Sequence, residues 1–482
     1  MRSVALVVVV LAALRTPAAG AGAILYATAA SENLVNGFCL GADGSLAPTP
    51  TVQVPTAGVQ PRRLVVGTNG SWTVLYVVEV DRVEAFSIGP HGGLKLIGAT
   101  PTVASPNANA MDVGFSPDMT KLYVPEQGRD RIAAYSLDAQ KGAPVGICSK
   151  TKTTTCSLNG DCPSGETCVV SLTSCIKGPK APQWQRLAVS NGFLYVTSKS
   201  LTGRISVFPL AADGSLPEDP STCTPNAAKT CNGGTRNAMS CTTDNKNAVT
   251  GCPGATCPSC CVLPAPTCPC SERRRLNDPK AILVDGDTVY VESLVKKRVI
   301  EFTLGPAATD QSGGPNTQKG CPALADHQFV PPHRKKTPTV NEAVCLKSDI
   351  TGVALTGNFR WQKWTSATNS TLGYQDVVRA GDTLLASQFV KARIDAFHLK
   401  DDGRLPQQPT ASTTADVRGS PVGLAVRGNV LYVAAGEFDL VQAFRLGRNL
   451  SLPDPTPFSQ TDVLTDSFPN AVTTTDLSDD CR

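Results

Sequence analysis

Short apolar runs recur along this chain in pairs. Leu25-Tyr26 is followed by Gly37-Phe38, Leu75-Tyr76-Val77 by Ala85-Phe86, and Leu122-Tyr123-Val124 by Ala134-Tyr135. Leu194-Tyr195-Val196 is followed by Val207-Phe208, and Val289-Tyr290-Val291 by Glu301-Phe302. Leu384-Leu385-Ala386 pairs with Ala396-Phe397, and Leu431-Tyr432-Val433 with Ala443-Phe444. The two aromatic or equivalent positions lie 10 to 13 residues apart in each of these seven copies. Apolar and polar residues alternate within a run, which is the period of a half-buried strand. The gap inside each pair is polar and turn-prone, so each pair predicts a β-hairpin. A second turn follows several copies at Asp43-Gly44, Gly92-Gly93, Asp213-Gly214 and Asp402-Gly403. These dipeptides supply the positive φ angles that tight hairpins need. A further apolar run precedes most copies, as in Arg63-Leu64-Val65-Val66 and Ala281-Ile282-Leu283-Val284. The repeating unit is therefore four short antiparallel strands.

Where nothing intervenes, successive units lie about 47 to 50 residues apart. The pattern predicts an all-β fold, a seven-bladed β-propeller of four-stranded antiparallel blades. One blade cannot bury both of its faces, whereas radial stacking buries them and leaves only short edges. The first copy begins at Ile24 without an inner strand, and residues 468–475 form a strand without a hairpin. The last segment is thus expected to supply the inner strand of the first blade and close the ring.

The N-terminus adds a compartment. Arg2 precedes an apolar stretch over residues 4–14 and a run of small residues over 18–23. The apolar stretch is too short for a bilayer span and reads as a signal peptide covering residues 1–22, with the propeller over 23–482. No later segment is apolar for long enough, so no membrane span is expected. The mature protein is expected to be exported, to a periplasm or the extracellular space. Eighteen cysteines agree with an oxidising compartment.

The cysteines are concentrated where the repeat is interrupted. Insertions are expected at about 146–180, 220–275 and 305–350. The first holds Cys148, Cys156, Cys162, Cys168 and Cys175; the second holds nine cysteines from Cys223 to Cys270; the third holds Cys321 and Cys345. These segments are rich in Gly, Pro, Asn, Ser and Thr and need covalent staples to be ordered. Cys257-Pro-Ser-Cys260 and Cys268-Pro-Cys270 have the spacing of thiolate ligands, but no histidine accompanies them. Disulfides are expected, and no metal or other cofactor. Five and nine are odd, so each of the first two segments needs a bond that leaves it, and a bond between them is the first expectation. Cys321–Cys345 and Cys39–Cys481 are the simplest remaining pairs. The first two insertions are expected to leave an outer strand, return to the next inner strand, and lie near the channel mouth as a lid or partner surface.

The repeat resembles that of the lactonase-type seven-bladed propellers, the family of 6-phosphogluconolactonase and carboxy-muconate cyclase. The matching residues are Pro61-Arg62-Arg63-Leu64, and Phe115-Ser116-Pro117-Asp118 leading into Leu122-Tyr123-Val124. The Gly-x-Leu of the family matches Gly44-Ser45-Leu46, Gly214-Ser215-Leu216 and Gly403-Arg404-Leu405. Propellers with a Tyr-Val-Thr-Asn repeat are similar as well, through Leu194-Tyr195-Val196-Thr197. The resemblance implies a site at the central channel, where active members use a histidine with arginine and glutamate. Arg63, Asp112, Arg186 and Asp376 stand where that repeat often carries histidine. The four histidines here, His91, His327, His333 and His398, fall on no predicted inner strand.

Propellers place ligands on residues at the start of each inner strand. Aligned, the repeats bring Arg62 and Arg63, Asp112, Gln185 and Arg186, Lys280, Gln375 and Asp376, and Asn470 into that ring. Arg63, Asp112, Arg186 and Asp376 are the candidates for chemistry. Arginines suit an anion or a lactone carbonyl, and a carboxylate can act as base on water. Arg62, Gln185, Lys280, Gln375 and Asn470 are the candidates for ligand binding. A net charge of +4 is weak for 482 residues and excludes the usual nucleic-acid binder. The reading is an exported, monomeric binding scaffold with an unidentified small molecule or protein at the channel mouth. The alternative is a lactone hydrolase acting at the channel.

Overall fold

The computed structural model describes residues 22–101, 109–177, 183–190, 192–199, 204–216, 229–230, 240–241, 279–285, 288–293, 298–303, 374–389, 392–400, 405–406, 409–412, 419–447, 456–463 and 468–481. The signal segment, residues 305–350 and nearly all of 220–275 lie outside them. Among the described residues the chain is all-β, and helix is limited to three single 3-10 turns. No helix there is long and apolar enough to cross a membrane.

Each apolar pair forms a hairpin in its own antiparallel sheet. Counted in chain order, the second sheet shows the pattern best, with Arg63–Thr68, Thr73–Val78, Val83–Ile88 and Leu94–Ala99 running from first to fourth strand. Register follows the repeat. Leu25 lies opposite Phe38, Leu75 opposite Phe86, Leu194 opposite Phe208 and Leu431 opposite Phe444. Such aliphatic–aromatic pairs each contribute about 0.2–1 kcal/mol over alanines.

Alternation then assigns the two faces. Leu75 and Val77 pack back onto Ile24 and Tyr26 of the first sheet. Tyr76 and Val74 pack forward onto Leu122 and Val124 of the third. The same hand-over joins the seventh sheet to the first, where Tyr432 and Ala443 meet Leu25 and Phe38. The repeat tyrosine also ties sheets by its hydroxyl. Tyr26 donates to the Gly92 carbonyl (2.7 Å), Tyr76 to Gly142 (2.5 Å), Tyr123 to Gly214 (2.5 Å) and Tyr432 to Gly44 (3.0 Å). Each acceptor is a turn glycine of the neighbouring sheet at φ between 69° and 85°, where a side chain is disfavoured.

The C-terminal strand joins the first sheet. Val472–Asp476 pairs antiparallel with Ala23–Ala27, and Cys39 is bonded to Cys481. The strand starts later than the sequence suggests. Phe468 has φ 44°, and the Asn470 and Ala471 N–H groups donate to Thr28 Oγ1 rather than to a ladder.

The first insertion departs from expectation. The fourth strand of the third sheet begins with Val145, which donates to Ser136 O, and resumes with Thr173, which donates to Ala134 O. The cysteine-rich segment is thus an excursion from the middle of an outer strand, not a link to the next inner strand. It forms an accessory sheet of Gly146–Cys148, Thr155–Cys156 and Cys168–Val170. Cys148–Cys162 and Cys156–Cys168 staple it side by side, so its clustered sulfurs are spent in bonds rather than open to a metal. Cys175 is bonded too, and with its four neighbours paired its bond leaves the segment. The excursion packs outward: Ala143, Pro144 and Ser157 crowd Gly98 on the outer strand of the second sheet. It lies at the circumference, so it is not the lid expected at the channel mouth.

Candidate functional site

The first strands of successive sheets lie side by side, and their starts converge. Four of them carry a β-bulge at the same place, the one in the seventh sheet falling at Val422. Gln185 and Arg186 together oppose Thr197, Lys280 and Ala281 oppose Glu292, and Gln375 and Asp376 oppose Ser387. A bulge re-aims side chains out of the ladder, which takes these positions out of the regular alternation of the sheet. The bulge is held by the opposing hydroxyl. The Arg186 N–H donates to Thr197 Oγ1 (3.1 Å) and the Asp376 N–H to Ser387 Oγ (3.0 Å).

The four candidates for chemistry come together. Arg63 Nη1 lies 3.3 Å from both Asp376 carboxylate oxygens, and its Nε lies 3.4 Å from Asp112 Oδ1. A quarter of the Arg63 side chain reaches solvent, against 5% for Asp112 and 3% for Asp376. Burial alone would lower the Arg63 pKa, but Asp376 and Asp112 outweigh it and hold the guanidinium charged. Arg186 donates to the Lys280 carbonyl (3.2 Å) and to the Met111 carbonyl (3.2 Å). Its own pKa is lowered, first by burial and then by Arg63.

Both carboxylates make a further contact. Besides Arg63, Asp112 accepts the Leu187 N–H (3.1 Å) and Asp376 accepts the Leu424 N–H (2.9 Å). Each therefore ties its own first strand to the next sheet. Those contacts compete with the base role considered above for Asp112 and Asp376.

A glutamate missed by the sequence reading fits that role better. Glu292 is completely buried, and neither of its oxygens has a hydrogen-bond partner. Burial pushes its pKa well above the usual carboxylate range; Asp376 adds to the shift and Arg186 opposes it. The fifth sheet explains its position. Ala281 stands where the neighbouring bulges carry Arg186 and Asp376, and Glu292 replaces the hydroxyl of Thr197 and Ser387. The signal was present in the repeat: two residues after the key tyrosine or leucine stand Thr28, Val78, Pro125, Thr197, Ser387 and Ala434, none of them charged, but Glu292 in the fifth copy.

The ligand candidates are dispersed around this centre. Arg62 donates to Asn109 Oδ1 (2.5 Å) and reaches the Met111 sulfur (3.4 Å), and Asn109 in turn donates to Gln127. Gln185 is buried, and Gln375 and Lys280 are half-buried beside the bulges. Asn470 is anchored through its backbone to Thr28 in the first sheet.

No family model matches the chain, and no curated protein matches it in sequence. Solved structures match over nearly the whole length. The periplasmic gluconolactonase of Pseudomonas aeruginosa aligns at 13% identity and TM-score 0.55, covering 95% of this chain and 99% of its own. A candidate 6-phosphogluconolactonase from Bacteroides fragilis aligns at 14% identity and TM-score 0.54, covering 95% and 98%. A protein from Lactobacillus plantarum aligns at 11% and 0.53, covering 94% and 99%. At such identities the likeness is one of fold. In fold, the chain resembles the lactonase-type β-propellers.

Proposed function

We propose that this chain is an exported seven-bladed propeller, closed by its C-terminal strand, that hydrolyses a lactone at the convergence of its inner strands. Pairing of the C-terminal strand with the first sheet and the Cys39–Cys481 bond support the closed ring. The signal-like N-terminus and the disulfides support export. The observation that carries the activity is Glu292, a buried carboxyl group without a hydrogen-bond partner and within electrostatic reach of Arg186. With Glu292 protonated, two arginines face two aspartates and the cluster is balanced, which suits a neutral, oxygen-rich ring. Arg63 and Arg186 would donate to the lactone carbonyl as charge develops on it. Once it has lost its own proton to solvent as pH rises, the Glu292 carboxylate would take a proton from water as the water oxygen attacks the carbonyl carbon. The ring C–O bond breaks, the proton passes to the leaving oxygen, and a hydroxy acid results.

The test is lactone hydrolysis by the mature chain in a pH-stat, with glucono-δ-lactone as the first substrate. Glu292→Gln is expected to lose at least about a hundredfold in kcat, as removal of a general base does. The wild-type rate is expected to rise with pH through a pKa above the ordinary glutamate range. A Glu292→Gln enzyme with unchanged kcat and pH profile would refute the assignment. The second reading, a binding scaffold without turnover, draws on the engaged aspartates and on inner strands that carry none of the described histidines. Tight ligand binding without hydrolysis would select it.

A further inference from the structure

Resting on the lactone reading, we infer that the channel mouth selects lactones bearing an apolar substituent, received by Phe438, Phe468 and Val59. Among the described residues five large apolar side chains are exposed. Two of them, Ile147 and Val169, are cross-strand partners in the accessory sheet. The other three are Val59 (51% exposed), Phe438 (57%) and Phe468 (54%). All three sit at the end of the molecule where the inner strands start. Val59 precedes Arg62 and Arg63, Phe468 precedes Asn470, and Phe438 lies in the turn joining the second and third strands of the seventh sheet.

Folding does not account for these rings. The residue three places before the ring position is left-handed in five sheets: Gln60 (φ 53°), Asn109 (49°), Gln183 (47°), Gly419 (77°) and Phe468 (44°). Glycine or asparagine takes that conformation readily, whereas a bulky side chain is disfavoured in it. The Phe468 ring recovers little of that cost by burial. Backbone bonds hold the patch instead. The Phe468 N–H donates to Asp439 Oδ1 (2.8 Å), and the Val59 N–H to Asp81 Oδ1 (3.0 Å). Phe438 lies over Gly419, where a Cβ would come within 2.6 Å of its ring.

The mouth thus has two sides. Arg62, Asn109 and Gln127 form a polar arc on the second and third sheets. Phe438, Phe468 and Val59 form an apolar arc on the seventh, first and second. A lactone head at the arginine–carboxylate centre places a ring substituent against one arc or the other, and the apolar one is free to take hydrocarbon.

The experiment uses γ-lactones whose alkyl chain grows from none to six carbons. Binding to the mature chain is measured by calorimetry, and hydrolysis is followed in parallel. Affinity is expected to tighten about twofold per CH2, roughly half the free energy of complete burial. Phe438→Ser and Phe468→Gly should flatten that series while leaving the unsubstituted lactone unchanged; glycine accepts the left-handed backbone, so the second variant keeps the fold. A flat wild-type series, an unaltered slope in both variants, or no binding at any length overturns the inference. Hydrolysis with length-independent binding sinks the rim alone. Length-dependent binding without hydrolysis sinks the lactonase reading alone.

Discussion

Glu79 and Glu292 are the acidic side chains, among the described residues, whose oxygens are buried without a hydrogen-bond partner. Glu79 closes the second strand of the second sheet, pressed against Gly58, and the Thr56 hydroxyl beside it is committed to Asn33 O at 3.1 Å. Burial, reinforced by Glu84, raises its pKa to about 8. A raised acid keeps its proton in the folded state while the unfolded chain has lost it. Stability is therefore full below the ordinary glutamate pKa and falls as pH rises toward 8, by on the order of 3–5 kcal/mol. Denaturant unfolding of Glu79→Gln between pH 5 and 9 is expected to lack that decline, and Glu79→Gln should exceed wild type in stability at pH 8. An identical decline in the variant would place the titration elsewhere. Arg63, Asp112, Arg186 and Asp376 were legible in the sequence because they recur at one repeat position, and charged residues there have no core to enter. Glu292 was not, because it follows Val289-Tyr290-Val291 as any strand residue does. Only its contrast with Thr28, Thr197 and Ser387 marks it, and that contrast gains meaning once the opposing bulge is known.

Among elements, the unit of construction is a hairpin plus the latch it offers its neighbour. The strands and their pairing could be read from alternation, since a register slip of one residue would turn every Leu-Tyr-Val run inside out. The tyrosine hydroxyl's destination could not, because Gly142 sits in a turn that the following insertion disguises. Tyr76→Phe keeps the ring and loses the bond to Gly142, and is expected to cost about 1–3 kcal/mol in denaturant unfolding because a buried carbonyl is left unpaired. Gly142→Ala should cost more, since its Cβ would meet the Trp72 ring at 2.6 Å in a left-handed backbone. Near-neutral values for both would show that the sheets are joined by apolar contact alone. The split outer strand of the third sheet was misplaced for a related reason. Counting residues locates surplus length between two hairpins, but not the step of the ladder from which it departs.

For the whole molecule the decisive contacts span 442 residues of sequence, from Cys39 to Cys481. A crosslink of that reach restricts the unfolded chain strongly, and its loss is expected to cost about 2–5 kcal/mol. Cys481→Ser should unfold at lower denaturant, with lactone binding at the inner-strand centre retained under native conditions. Equal midpoints for variant and wild type would show that strand pairing holds these two segments together unaided.

The same strand pairing sets an order of events during synthesis. Ala23–Ala29 leaves the ribosome long before its partner Val472–Asp476 is made. Until then one edge of the first sheet stands open, with its backbone donors and acceptors unmet. A chain interrupted shortly before residue 472 would hold nearly every sheet and still offer a bare edge to any extended segment nearby. Quality control that captures exposed strand edges would therefore tell chains with the Val472–Asp476 strand in place from chains that lack it.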